Sequence, residues 1–104
     1  MYTRVHTFKF QNKLAKNSIK LSMKQLLDPM FDKGLQMRFF VDVNDTTLNV
    51  INVWDNQQNS SVVHQNNNDF IKEIKEMGVN MLITGGDTEA SYSEKTNFSD
   101  FTKI

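Results

Sequence analysis

The sequence predicts a ferredoxin-like α+β fold, βαββαβ, in which a four-stranded antiparallel sheet carries both helices on one face. Three observations lead there: an opening segment that alternates polar and apolar residues, a helix-period stripe from Ile19 to Met30, and the hairpin "LQMRFFVDVNDTTLNVINVW". A second helical segment and a last strand complete the order.

The first strand runs from Tyr2 to Phe10, with Arg4, His6, Phe8 and Phe10 on one side and Thr3, Val5, Thr7 and Lys9 on the other. Ile19, Met23, Leu26, Leu27 and Met30 then share a stripe of an α-helix, because they recur at the spacing of its turns. Asn17 or Ser18 is a candidate N-cap, with Asn12 an earlier alternative. Leu14 and Leu21 fall outside the stripe, and Lys13, Lys20 and Lys24 share a flank that reads as a solvated face. Pro29 kinks the helix or ends its regular part, since it lacks an N–H and clashes with the preceding turn, and Gly34 closes the segment.

In the second strand Met37, Phe39, Val41 and Val43 face one way, and Gln36, Arg38, Phe40 and Asp42 the other. "NDTT", Asn44 to Thr47, makes the turn, after which Asn49, Ile51 and Val53 alternate with Leu48, Val50, Asn52 and Trp54. Asp55 or Asn56 caps a second helix carrying Val62, Val63 and His64. That helix breaks near Asn66 to Asn68, because asparagine favours turns, and resumes with Phe70, Ile71, Ile74 and Met77 until Gly78. The last strand is Asn80 to Thr84, Asp87 to Ser93, or both joined by a bulge at Gly85-Gly86.

A chain of 104 residues, 38% hydrophobic and 11% aromatic, suffices for one core and one domain. We place that domain at 1–93 and a polar tail, bearing Phe98, Phe101 and Ile104, at 94–104. The absence of cysteine excludes disulfides, a thiolate nucleophile and cysteine metal sites. The opening "MYTRVHTFKFQNK" lacks the apolar run of a signal peptide and no later run is long enough to span a membrane, so a cytoplasmic location with no membrane partner is expected. Residues 1–38 hold eight Lys or Arg against two acids, and residues 39–104 hold four against ten, so the two halves are expected to attract. No basic cluster with interleaved aromatics marks a nucleic-acid partner.

Every strand has apolar or aromatic residues on both sides, so the sheet face away from the helices needs cover, and a homodimer is expected. On the helix with its proline, "LLDPMFDKG", the hairpin "MRFFVDVNDTTLNVINVW", and the strand-ending tryptophan before an acid and a helix, "VWDNQQ", the chain resembles the dimeric α+β barrel superfamily. The likeness is to its antibiotic biosynthesis monooxygenase-like domains and spans residues 2–93. It implies a homodimer that binds a small aromatic or apolar molecule, with oxidation of that molecule without metal or organic cofactor as its candidate chemistry. In such chemistry the substrate supplies the electrons and the protein supplies a base, shape and polar orientation. The haem-degrading branch is similar, but uses an asparagine on the first strand with a tryptophan and a histidine on the second helix. Here His6 stands on the first strand and Trp54 ends the third, so haem degradation is not carried over. The alternative function is a non-catalytic stress-related or regulatory dimer whose barrel is filled by side chains.

Sorted by strand parity, Arg4, His6 and Phe8, Arg38, Phe40 and Asp42, and Asn52 with Trp54 are the more polar set of each strand. If these sets share a sheet face, they line a site of aromatic walls with a few convergent polar groups. His6 and His64 are then the candidate bases, since imidazole titrates near neutrality. Arg38 and Asn52 would steer a substrate oxygen, and Phe40 and Trp54 would form walls. The plainer readings are a core anchor for Trp54, an exposed His64 at the helix break, and an Arg38 paired with Asp42 or a partner-chain acid. Two histidines without spaced carboxylates predict no metal site. Gly85-Gly86 lacks the flanking pattern of a phosphate loop, and no Ser, His and Asp set has the context of a triad.

Overall fold

The computed structural model describes residues 1–104. Its elements are β1 (Tyr2–Lys9), α1 (Lys13–Leu27), a 3-10 turn (Asp28–Lys33), β2 (Leu35–Asp42), β3 (Thr47–Trp54), α2 (Gln57–Asn66), α3 (Asn68–Glu76) and β4 (Asn80–Asp87). The strands form one antiparallel sheet in the order β2-β3-β1-β4, the ferredoxin-like arrangement expected from the element order. β1 and β3 lie in the middle, which is where a site residue is best shielded from water.

Local chemistry explains each boundary. Asn12, the earlier of the candidate caps, takes the N-terminus of α1 by accepting the Ala15 amide at 2.8 Å. α1 stops at Leu27 and Pro29 lies in the first turn of the 3-10 segment, whose end is Gly34 at φ 104° with its N–H on the Met30 carbonyl. A Cβ at Gly34 would run into the Asp55 carboxylate and the Asn59 amide, so glycine is required by space as well as by backbone. Asn56 caps α2 by accepting from the Asn59 amide at 2.8 Å. The expected break falls at Asn67, whose side chain donates to the Val63 carbonyl at 2.9 Å and so terminates α2 while α3 begins beside it.

Phe8, Met23, Leu48, Val50 and Ile74 are almost fully buried between sheet and helices. Leu26, expected on the buried stripe, is instead exposed, because the line of contact runs through Lys16, Ile19, Met23 and Leu27. Leu26 is turned about 100° around the axis from Leu27. Lys16 is only 4% exposed, and its ammonium donates to the Asn44 carbonyl at 2.8 Å and pairs with Asp42 at 3.1 Å. Lys20 reaches the other Asp42 oxygen at 2.6 Å. The Lys20 bond, and then that of Lys16, holds the Asp42 carboxyl below the usual carboxylate range. The basic N-terminal half thus grips the hairpin of the acidic half.

β4 contains the whole of the predicted segment Asn80 to Thr84 and continues through Gly85-Gly86 without a bulge, but ends at Asp87, so Thr88 to Ser93 lie outside the strand. Gly85 leaves room for the Tyr2 phenol, whose hydroxyl a Cβ there would strike. On the sheet face away from the helices, Phe39, Val41 and Leu82 are 36%, 42% and 63% exposed. The tail starts on this face, where the Thr88 hydroxyl donates to that of Thr3 at 2.6 Å, and returns to it with the Phe101 ring edge-on to Phe39 at 6.0 Å. No helix is long and apolar enough to cross a membrane.

Candidate functional site

Directly opposed residues on adjacent strands project from the same face of a sheet. The register therefore aligns Arg4 on β1, Asn52 on β3 and Arg38 on β2 in one row, with His6, Val50 and Phe40 in the next. Trp54 stands opposite Tyr2 on the same face. This mixed face is the one the helices cover.

A small cavity of about 50 Å³, partly open to solvent, lies between this face and the helices. At that size its opposing walls stand close together. Phe8, Leu27, Val63 and Phe70 contribute apolar wall, and the polar lining comes from Arg4, His6, Asn52, Ser60, His64 and Asn67. Trp54 lines it as well.

Four of these side chains are at least nine-tenths buried and hold a polar atom without a hydrogen-bond partner: His6 Nδ1, Asn52 Oδ1, Trp54 Nε1 and Ser60 Oγ. A buried polar atom left unpaired costs about 1–3 kcal/mol, so their convergence on one cavity is a concentrated demand for an occupant. The set offers a donor in the indole, an acceptor in the amide oxygen, and groups of either sense in the hydroxyl and imidazole.

His6 lies parallel to Phe8, with centroids 6.0 Å apart and planes 9° apart, and its other neighbour is the His64 ring at 6.1 Å. Burial, then the nearby His64 and Arg4, push the His6 pKa down to about 4. His64 is half-buried, and burial, then Arg4 and Lys75, lower its pKa too. Both imidazoles are therefore neutral at pH 7, and His64, the less buried of the two, is the more accessible as a base.

Of the residues predicted for a site, His6, His64, Asn52 and Trp54 meet in this cavity. Arg38 and Phe40 do not line it. Arg38 lies at the β2 edge, donating to Asp28 at 2.7 Å, its guanidinium over Phe40 at 5.1 Å and Phe31 at 5.4 Å. Its expected partner Asp42 is four residues along the same strand, roughly 13 Å away at the rise of a β-strand, and out of reach. Sequence reasoning did not single out Ser60 at all, although it stands three and four residues before Val63 and His64 and so shares their helix face. Arg4 was recognised by parity but given no role.

The class defined by this architecture is the ferredoxin-like α+β fold, which solved proteins including a dimeric ferredoxin-like protein and monooxygenases share. No protein-family model matches the chain, and no curated protein matches its sequence. Among solved structures, a candidate antibiotic biosynthesis monooxygenase from Deinococcus radiodurans superposes with a TM-score of 0.73 at 14% identity, covering 92% of this chain and 100% of that one. A dimeric ferredoxin-like protein from an uncultured marine organism gives 0.69 at 8% identity, covering 90% and 100%. A monooxygenase of Streptomyces coelicolor, solved in complex with nanaomycin D, gives 0.61 at 11% identity, covering 88% and 92%. At these identities the likeness establishes the fold.

Proposed function

We propose that the protein is a homodimer that binds a small, flat aromatic molecule between its sheet and helices and oxidises it as a cofactor-independent, monooxygenase-like enzyme. The observation that carries this reading is the convergence of four unpartnered, buried polar atoms on one apolar cavity. A bound ligand would supply these atoms with partners that the surrounding side chains do not. Similarity of fold to monooxygenases, one of them solved with a ligand, supports the reaction class.

In this proposal His64 removes a proton from an activated ring carbon, and the resulting carbanion passes its electrons to dioxygen. A ring CH2 becomes a carbonyl and the second oxygen atom leaves as water, so the substrate loses the four electrons that dioxygen gains. His6, neutral and fixed against Phe8, orients the substrate. Trp54 Nε1 and Asn52 Oδ1 hold its polar substituents, and the slot between close walls excludes bulk water. The homodimer buries the apolar open face through Phe39, Val41 and Leu82.

Trp54 is the sole tryptophan and lines the cavity, so its fluorescence reports occupancy directly. Titration with hydroxylated anthrones and quinols, followed by oxygen-electrode measurement, is expected to give saturable quenching and oxygen uptake. His64→Asn should retain quenching and lose about 100-fold in kcat. Absence of saturable quenching with every compound overturns the binding reading. Binding without oxygen uptake overturns the enzyme.

A further inference from the structure

We infer that the occupant of the cavity is an aromatic acid bound as its anion, with a negatively charged oxygen set against Arg4. This inference rests on the binding reading above and names the chemical class of the ligand.

Arg4 projects from the central strand into the cavity lining and makes no ion pair. Its guanidinium lies over the Tyr2 ring, 5.9 Å from the ring centroid. That ring lies over Gly85, the residue opposite Arg4 on β4, so a glycine in mid-strand makes the space for the platform on which the guanidinium rests. The other two buried cations each have an acid: Arg38 pairs with Asp28 through Nη2, although its Nη1 has no partner, and Lys16 pairs with Asp42. Arg4 alone is presented to an apolar cavity without a counter-ion.

The surrounding charges do not supply one. On β1 and α2 the facing titratable groups are His6 and His64, and from α3 Lys75 adds a further positive charge. On β4 the nearest acid by register is Asp87, two residues beyond Gly85, and it forms no ion pair with Arg4. A site that is apolar, closely walled and net positive attracts a ligand that brings the missing negative charge, since the interaction strengthens as water is excluded. Asn52, directly across from Arg4, leaves its Oδ1 free for a donor on the same ligand, while the indole N–H and the Ser60 hydroxyl are placed to share the anionic oxygen's charge or bind a second acceptor. With walls this close, a ring system enters only as the lining side chains move apart, and a flat one asks for the least movement. An ionised phenol and an aromatic carboxylate share this chemistry.

Matched neutral and ionisable probes test the inference. Trp54 quenching is titrated with 4-nitrophenol against 4-nitroanisole, and with benzoate against benzamide, in wild type and in Arg4→Gln. The expected result is that at least one anion binds about tenfold more tightly than its neutral counterpart and that Arg4→Gln abolishes the preference. The phenol pair and the carboxylate pair distinguish which acid is taken. Because 4-nitrophenol and its yellow anion absorb apart, the spectrum of the bound probe in wild type reads ionisation without any variant, so the test survives an Arg4→Gln chain that does not fold. Neutral probes that bind as tightly as the anions, or 4-nitrophenol bound in its colourless form with benzoate no tighter than benzamide, overturn the inference and leave the cavity reading standing. If no probe of either pair quenches Trp54 saturably, the cavity reading falls and the inference with it.

Discussion

His6, on the central strand, and His64, on the helix layer above it, face each other with ring centroids 6.1 Å apart. The two come from opposite sides of the site, and neither has a carboxylate to stabilise its charged form. The pair is consequently an uncharged one at neutral pH, with the more deeply buried member locked against Phe8. That division suits an orienting group and a base better than two equivalent bases.

Stability should fall on acidification. The unfolded chain binds a proton at His6 near pH 6.5, whereas the folded one does so only near pH 4. Between those values the unfolded state binds more protons, so stability rises with pH across this window and is lost as pH is lowered through it. The shift corresponds to about 3 kcal/mol. Urea unfolding at pH 7 and at pH 4.5 should show the loss in wild type and a much flatter profile in His6→Gln.

Leu48 is fully buried at the start of β3, within the cluster that includes Phe8 and Ile74. Leu48→Ala should cost about 2–5 kcal/mol through lost transfer energy and the cavity left behind. Leu14→Ala, at a position 77% exposed, should change stability by no more than about 0.5 kcal/mol. Thermal or urea melts of the two variants make the comparison.

Gly85→Val should displace the Tyr2 ring, because even a Cβ at that position strikes its hydroxyl. Overpacking of this kind costs about 1–3 kcal/mol. Gly86→Val, in open space one residue along, meets no neighbouring atom at the first side-chain carbon and should cost less. Equilibrium unfolding of both variants separates this steric effect from a general intolerance of β4.

Phe39 sits on the open sheet face with Phe101 against its ring. Phe39→Lys should convert the proposed dimer to a monomer without unfolding the chain, since Phe39 lies outside the two buried clusters. Sedimentation equilibrium alongside circular dichroism reads the two effects separately. A wild-type protein that sediments as a monomer at high micromolar concentration would remove the dimer from the proposal.

Residue order and side-chain period by themselves determined the element sequence, the βαββαβ class, the helix break among the asparagines and the parity that groups Arg4 with His6 on one strand and Asn52 with Trp54 on another; that the two groups share one face is decided by the strand register. These are local or nearly local properties, because an alternating strand and a helix each declare their faces through neighbours a few residues away. Only the tertiary structure decided which polar residues on that face stay free. Arg38 has the right parity but leaves the site for Asp28, an acid on the 3-10 turn brought close by the return of the chain. His64, which sequence context left beside four polar neighbours at the end of a helix, is turned inward toward His6 by the packing of α2 on β1 and β3. Lys16 is buried because the hairpin supplies Asp42 and the Asn44 carbonyl from 26 and 28 residues away. Pairing of this kind depends on distances in space between elements far apart in the chain, and no local periodicity carries that information.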